Sequence, residues 1–315
     1  MRAIKQNSSS QLMAYLALAI SMAFVGTSMT ANKFIVGEVP VMIAGLIRFL
    51  AATVFMCSLT MLIDGKLPQL DRRTKVTLAA QTFFGSFLFT VLTLYGVDMT
   101  TAMVSGIILA ATPAVVAMMS WVLGDRLSRI AWAGVLLTIG GVLVVNVLGT
   151  PDDELARRPI LGAILIFLAV VSEAAYTMFA RLIAGNASVL GITSWYSIYG
   201  ALMFLPPALW VAQGFDFGGI PQSAWLAMIY MGAVPGALAV LLWFYGLRQV
   251  PASIAGAFTG VMPISAVLSA WLVLGEKMAW PHVLGMILIM IGIVMVARSR
   301  GRIVERKALG DGLER

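Results

Sequence analysis

Glu173 is the side chain best placed to do chemistry. It lies near the middle of an apolar run from Ile160 to Ile183. An ionisable group at the centre of a bilayer costs roughly 2.5–3.5 kcal/mol on insertion scales, so it faces a cavity or a partner. Two readings follow. In one, Glu173 binds a substrate amine, a proton, or each in turn. In the other it is structural, held by a hydrogen bond or by an ion pair with Arg48. Tyr176 and Thr177 follow at i+3 and i+4 and share its helix face. Tyr176 can orient the carboxylate or stack on substrate; its plain alternative is packing. Arg48 lies about two turns inside another apolar run. It can clamp a carboxylate bidentately, or serve the scaffold by snorkelling or by pairing with Glu173.

Other candidates are polar groups on apolar segments. Pro113 and Pro263 each remove one helical hydrogen bond, freeing carbonyls at Leu109 and Thr259. Backbone freed inside a membrane is satisfied by neighbours or lines a wet cavity. Thr112, Thr259 and Ser265 are the nearby hydroxyls. The prolines either shape a cavity and hinge its gates or are tolerated bends. Gln81 and Tyr230 bind ligand or join helices, as single membrane amides and hydroxyls commonly do. Lys33 and Arg181 end their segments as interface anchors or gate charges. Gly134, Gly140 and Gly141 read as close helix contacts. No phosphate-binding Gly-rich loop or nucleophile elbow is present. One Cys and one His exclude an intramolecular disulfide and a multi-histidine or cysteine-cluster metal site. No catalytic residue, metal or cofactor is expected.

The elements that must position these groups are membrane helices. Of 315 residues, 60% are hydrophobic and 11% charged, against about 25% charged in soluble domains. The net charge of +7 does not indicate nucleic acid, because no basic, aromatic-interleaved module accompanies it. About 20 apolar residues span the hydrocarbon core. Ten segments qualify, near 11–32, 40–63, 76–96, 100–123, 129–149, 159–183, 190–212, 223–247, 252–274 and 279–298. The first follows a polar start without a convincing cleavage pattern and reads as a helix rather than a signal peptide.

The text repeats internally. Tyr95-Gly96, Ala102, Gly106, Pro113 and Trp121 recur as Tyr245-Gly246, Ala252, Gly256, Pro263 and Trp271. Leu-Gly-Asp-Arg at 123–126 becomes Leu-Gly-Glu-Lys at 274–277 after one inserted residue. Such self-similarity divides the chain into two related halves: 11–149 and 159–298, with a linker at 150–158 and tails at 1–10 and 299–315. Lys and Arg accumulate in cytoplasmic loops. With the N-terminus inside, sixteen of the 21 fall on the cytoplasmic side and four outside, with Arg48 in a helix. Both termini are therefore expected in the cytoplasm. Five helices per half is odd, so the second half enters upside down. The expected fold is all-α, ten transmembrane helices in two inverted five-helix repeats, a recurrent build of secondary transporters.

In these features the chain resembles the EamA-type proteins of the drug/metabolite transporter superfamily. The resemblance rests on Pro40 with Arg48-Phe49, the two Tyr-Gly…Ala…Gly…Pro blocks, and the Leu-Gly-Asp/Glu turns followed by Gly134 and Gly285. It implies a bacterial inner-membrane transporter of small molecules, monomeric or homodimeric, with amino acids and related metabolites among the family's cargo. Combined with Glu173 and Arg48, it leads to the expectation of alternating-access export of a small zwitterion, an amino acid or an opine-type metallophore, coupled to protons. Import, cationic drug efflux, and a membrane-embedded enzyme, sensor or scaffold are the alternatives.

Overall fold

The computed structural model describes residues 8–124, 127–148, 157–183, 188–247, 249–250 and 258–310. Among these, all regular structure is helical. The helices are α1 (Ser8–Gly26), α2 (Ser28–Lys33), α3 (Val41–Ile63), α4 (Arg72–Thr82), α5 (Phe89–Met99), α6 (Ala102–Leu109), α7 (Thr112–Val122) and α8 (Arg129–Leu148). There follow α9 (Pro159–Ile183), α10 (Val189–Ala212), α11 (Gln222–Ala233), α12 (Ala239–Leu247), α13 (Val261–Leu274) and α14 (Trp280–Gly310). The Asp125-Arg126 turn, residue 149, residues 150–156 of the expected linker, Arg248, Ala252, Gly256 and the Arg181 side chain lie outside what is described.

Among the described residues, eight helical stretches are long and apolar enough to cross a membrane, and two shorter apolar helices, Arg129–Val145 and Val261–Leu274, accompany them. The perimeter confirms the solvent. Leu62 is 82% exposed, Trp210 79% and Ile160 74%. Side chains of that kind turned outward are placed by a lipid solvent, not by water.

Several expected single helices are interrupted. The first is broken at Thr27 between α1 and α2. The third and eighth carry π-helical turns at Phe83–Leu88 and Val234–Leu238. The fourth is two helices, because Pro113 falls in the first turn of α7. There its missing amide has no acceptor within α7 itself, so proline starts a helix instead of bending one; the carbonyl four residues back that it leaves without a donor is Leu109, the last residue of α6. Pro263 likewise occupies the first turn of α13.

Local signals fix the ends. Asp71 caps α4 through the amides of Arg73 and Thr74 at 3.2 and 3.4 Å. Thr101 caps α6 through Val104 N–H at 3.1 Å, and Ser188 caps α10 through Gly191 N–H at 3.1 Å. Gly275, at φ 68°, ends α13 in the left-handed region, where glycine carries no Cβ penalty.

The main core joins α6, α7, α9, α13 and α14 around Ile107, Ile108, Ile166 and Ile289. The most intimate seam joins α8 to α14. A Cβ on Gly134 would meet the Gly292 carbonyl, and one on Gly141 the Gly285 carbonyl, with the reverse also true. Rising numbers on one helix meet falling numbers on the other, so the two are antiparallel. Gly140, expected to be a close helix contact like Gly134 and Gly141, has nothing within 4 Å of such a Cβ.

Candidate functional site

Glu173 lies halfway along α9 and is half-buried. Its Oε2 lies within hydrogen-bond distance of Thr112 Oγ1, at 2.7 Å. Thr112 opens α7, directly after the turn that Pro113 enforces, and its Oγ1 is also 2.7 Å from the Leu109 carbonyl oxygen. The carbonyl freed by the proline is thus met by the hydroxyl that sequence places beside it.

Tyr176, one turn along α9, packs against the π-helical turn. A Cβ at Gly85 would overlap its ring, so only glycine admits this approach. Tyr176 meets Tyr196 of α10 edge-on, centroids 5.5 Å apart. Tyr196 in turn meets Phe49 of α3 edge-on at 6.4 Å. Beside Phe49, the Arg48 guanidinium donates to Thr90 Oγ1 of α5 at 3.3 Å and lies 5.4 Å over the Phe49 ring centroid. Among the described residues no ion pair links Arg48 to Glu173. Tyr196 lies within electrostatic reach of both. A guanidinium inside a bundle without a countercharge is costly.

Of the residues singled out in the sequence, Thr112 touches Glu173 directly, Tyr176 lies one turn from it on the same helix, and Arg48 is connected to them only through Tyr196 and Phe49. Thr177 is at hand, but its hydroxyl bonds back to the Glu173 carbonyl at 3.1 Å. Gln81, on α4 two residues before the π turn, is buried with its Oε1 unpartnered. Thr259 lies in the turn before α13, where Met262 N–H donates to its carbonyl at 3.2 Å. Tyr230 stands apart. It bonds Thr27 Oγ1 at 2.6 Å in a crevice of about 470 Å³ between α2, α11 and α13. Thr30 and Ser269, 2.7 Å apart, also line it. Thr90 and the central place of Tyr196 were missed: a threonine or tyrosine in an apolar run carries no sign of the helix it faces.

A second carboxylate is fully engaged. Glu276, 4% exposed, accepts from Ala102 N–H at 2.7 Å and Met103 N–H at 2.8 Å, at the start of α6. Nearby, Lys33 Nζ donates to the Thr100 carbonyl at 2.5 Å. Among the described residues no group of three or more His, Cys, Asp or Glu is arranged to hold a metal.

A family model described as the EamA-like transporter family matches residues 12–147 and 160–298. The Bacillus subtilis protein named "Uncharacterized transporter YetK" is 34% identical over 284 residues, 90% of this chain and 86% of that one. "Uncharacterized inner membrane transporter YedA" of Escherichia coli K12 is 24% identical over 264 residues, 83% and 82% of the two chains. An Archaeoglobus fulgidus protein named "Uncharacterized transporter" is 25% identical over 291 residues, 91% and 99% of the two. One solved crystal structure superimposes with a TM-score of 0.63 over 94% of this chain and 99% of that one, at 16% identity; that likeness speaks to the fold alone.

Proposed function

We propose a substrate class and a coupling for this chain, which belongs to the EamA-like transporter family and is a multi-pass membrane transporter. The cargo is a small zwitterion, an amino acid or an amino-acid-derived metabolite such as an opine-type metal chelator. It is exported across a bacterial inner membrane by exchange for protons. Glu173 receives the substrate ammonium and Arg48 its carboxylate, with Tyr176 and Tyr196 between them. The observation that carries this reading is the unpaired placing of the two charges: each lies inside the bundle, and neither neutralises the other.

The cycle is alternating access between two inverted five-helix halves, with both termini in the cytoplasm. Support comes from the repeated text, from the Lys and Arg count, and from the use of inverted repeats with midplane sites in secondary transporters. A ligand shifts a two-state equilibrium only through differential affinity. A proton on Glu173 supplies it by abolishing the charge that holds the ammonium.

The test is substrate-driven proton flux in proteoliposomes, with substrates drawn from a comparison of medium from cells with and without the protein. Glu173→Gln is expected to abolish the coupled flux. Flux and pH dependence equal to wild type in that variant would remove Glu173 from the mechanism. The same assay, run with the gradient reversed, reads direction.

A further inference from the structure

The two contacts of Thr112 are more than the hydroxyl can make with its own hydrogen. Its Oγ1 lies 2.7 Å from the Leu109 carbonyl oxygen and 2.7 Å from Glu173 Oε2. A threonine hydroxyl donates one hydrogen and accepts at two lone pairs; a carbonyl oxygen only accepts. One hydrogen does not form two near-linear bonds this short. Both contacts are satisfied together when Glu173 is protonated. Its carboxylic O–H then donates to Thr112 Oγ1, and Thr112 donates onward to Leu109. Leu109 depends on that donor, since its helical partner would be the amide of residue 113, which is proline. When Glu173 loses its proton, the carboxylate claims the Thr112 hydrogen, because charge-assisted bonds are the stronger kind. The Leu109 carbonyl is then left without a donor at the break between α6 and α7.

We propose that Glu173, Thr112 and the Leu109 carbonyl form a two-acceptor subsite selective for N–H-bearing ammonium ions, filled in turn by a proton on Glu173 and by the substrate ammonium. This rests on the transport reading above and sharpens it. In the ionised form, carboxylate and carbonyl flank one hydroxyl, so a single ammonium reaches both. A primary ammonium has three hydrogens and satisfies each acceptor. A quaternary ammonium satisfies neither and leaves Leu109 unpaired. Proton and ammonium exclude each other by hydrogen-bond count as well as by charge. Thr112 acts through Glu173 and is a positioning residue.

The titratable surroundings are few. Tyr176 on α9 and Tyr196 on α10 lie within electrostatic reach of Glu173, and Arg48 on α3 acts on Tyr196. α6 and α7 contain no titratable side chain. Tyr95 and Asp98 lie at the end of α5, beside the start of α9, where Arg158 N–H bonds the Met99 carbonyl. Arg72, Arg73 and Lys75 open α4, whose Leu78 packs near Ile183 at the opposite end of α9.

The test titrates the carboxyl directly, by infrared difference spectroscopy of the full chain in lipid. The protonated C=O band is assigned by its loss in Glu173→Gln. Pro113→Ala returns an amide to Leu109, so the proton on Glu173 is no longer needed to keep that carbonyl satisfied. The pH at which the band disappears is expected to fall by about one unit, the scale of one buried unsatisfied group. In a Thr112→Val background the same change is expected to move nothing, and Thr112→Ser is expected to titrate as wild type. An unmoved band in Pro113→Ala, or an equal shift with and without the Thr112 hydroxyl, overturns the proposal. Methylammonium is expected to displace the proton and bleach the band, tetramethylammonium to leave it; equal bleaching by both overturns the selectivity. These readouts need no transport, so they fail separately from the flux assay.

Discussion

Glu173 and Glu276 are both carboxylates withdrawn from water, and they are held in opposite ways. Glu276 accepts from two backbone amides, Ala102 and Met103. Amides are donors only, so these two bonds favour the ionised carboxylate. It ties the loop after α13 to the first turn of α6, where the helix dipole also favours negative charge. Glu173 is met by a hydroxyl, which can accept as readily as it donates. Its partner tolerates either protonation state by reversing one bond. The kind of donor, more than the depth of burial, separates a carboxylate that fastens the fold from one that can exchange its proton.

The sharpest way to break that contrast is to remove the fastening. Glu276→Ala leaves two buried amides unsatisfied, costing roughly 2–6 kcal/mol together. Its apparent Tm in detergent is expected to fall by about 5 °C or more, whereas Glu173→Gln is expected to keep its Tm and lose coupled flux. A Glu276→Ala protein with wild-type Tm would erase the distinction. A smaller effect is expected from Arg48→Lys, which keeps the charge but loses the planar fork. In initial-rate assays with a zwitterionic substrate, KM is expected to rise about tenfold with the maximal rate nearly kept, the mark of lost ground-state binding. A fall in maximal rate alone would assign Arg48 to the scaffold. The smallest effect belongs to Tyr230→Phe. It removes one hydrogen bond, worth about 0.5–1.5 kcal/mol, in a crevice away from Glu173. Uptake rates within about twofold of wild type are expected; a large loss would bring that crevice into the pathway.

Much of the site was legible because bilayer cost makes a lone ionisable residue conspicuous. Glu173 and Arg48 stood out for that reason alone, and Tyr176 followed from helical spacing. The link from Pro113 to Leu109 to Thr112 was legible too, because it is local: four residues of helix geometry define it. What sequence did not disclose lies between helices. Thr90 under Arg48, Tyr196 between the two charges and Glu276 on α6 are partnerships across 42 to 174 residues, and periodicity within one helix cannot reveal them. The π-helical turn at Phe83–Leu88 was hidden because its sequence is ordinary apolar text; Gly85 was its only mark, and its purpose becomes clear only with the Tyr176 ring against it. The expected pairing of Gly140 failed for the complementary reason: adjacent residues on a helix point some 100° apart, so Gly140 and Gly141 cannot share one seam.

The seam of α8 and α14 also bears on how the molecule can deform. Glycines face each other at 134 with 292 and at 141 with 285, seven residues apart on both helices, or about 10.5 Å. Between them stand Thr138 and Ile289, already against the facing backbone. A slip of one turn would push such a side chain into a gap sized for hydrogen, and the next glycine match is two turns away. The pair is therefore keyed like a rod in a slotted sleeve: it can tilt or swing as a unit, but it cannot telescope. Any large rearrangement of this bundle has to be accommodated at the jointed helices, at Thr27, at the π turns and at the α6–α7 break, while α8 and α14 travel together.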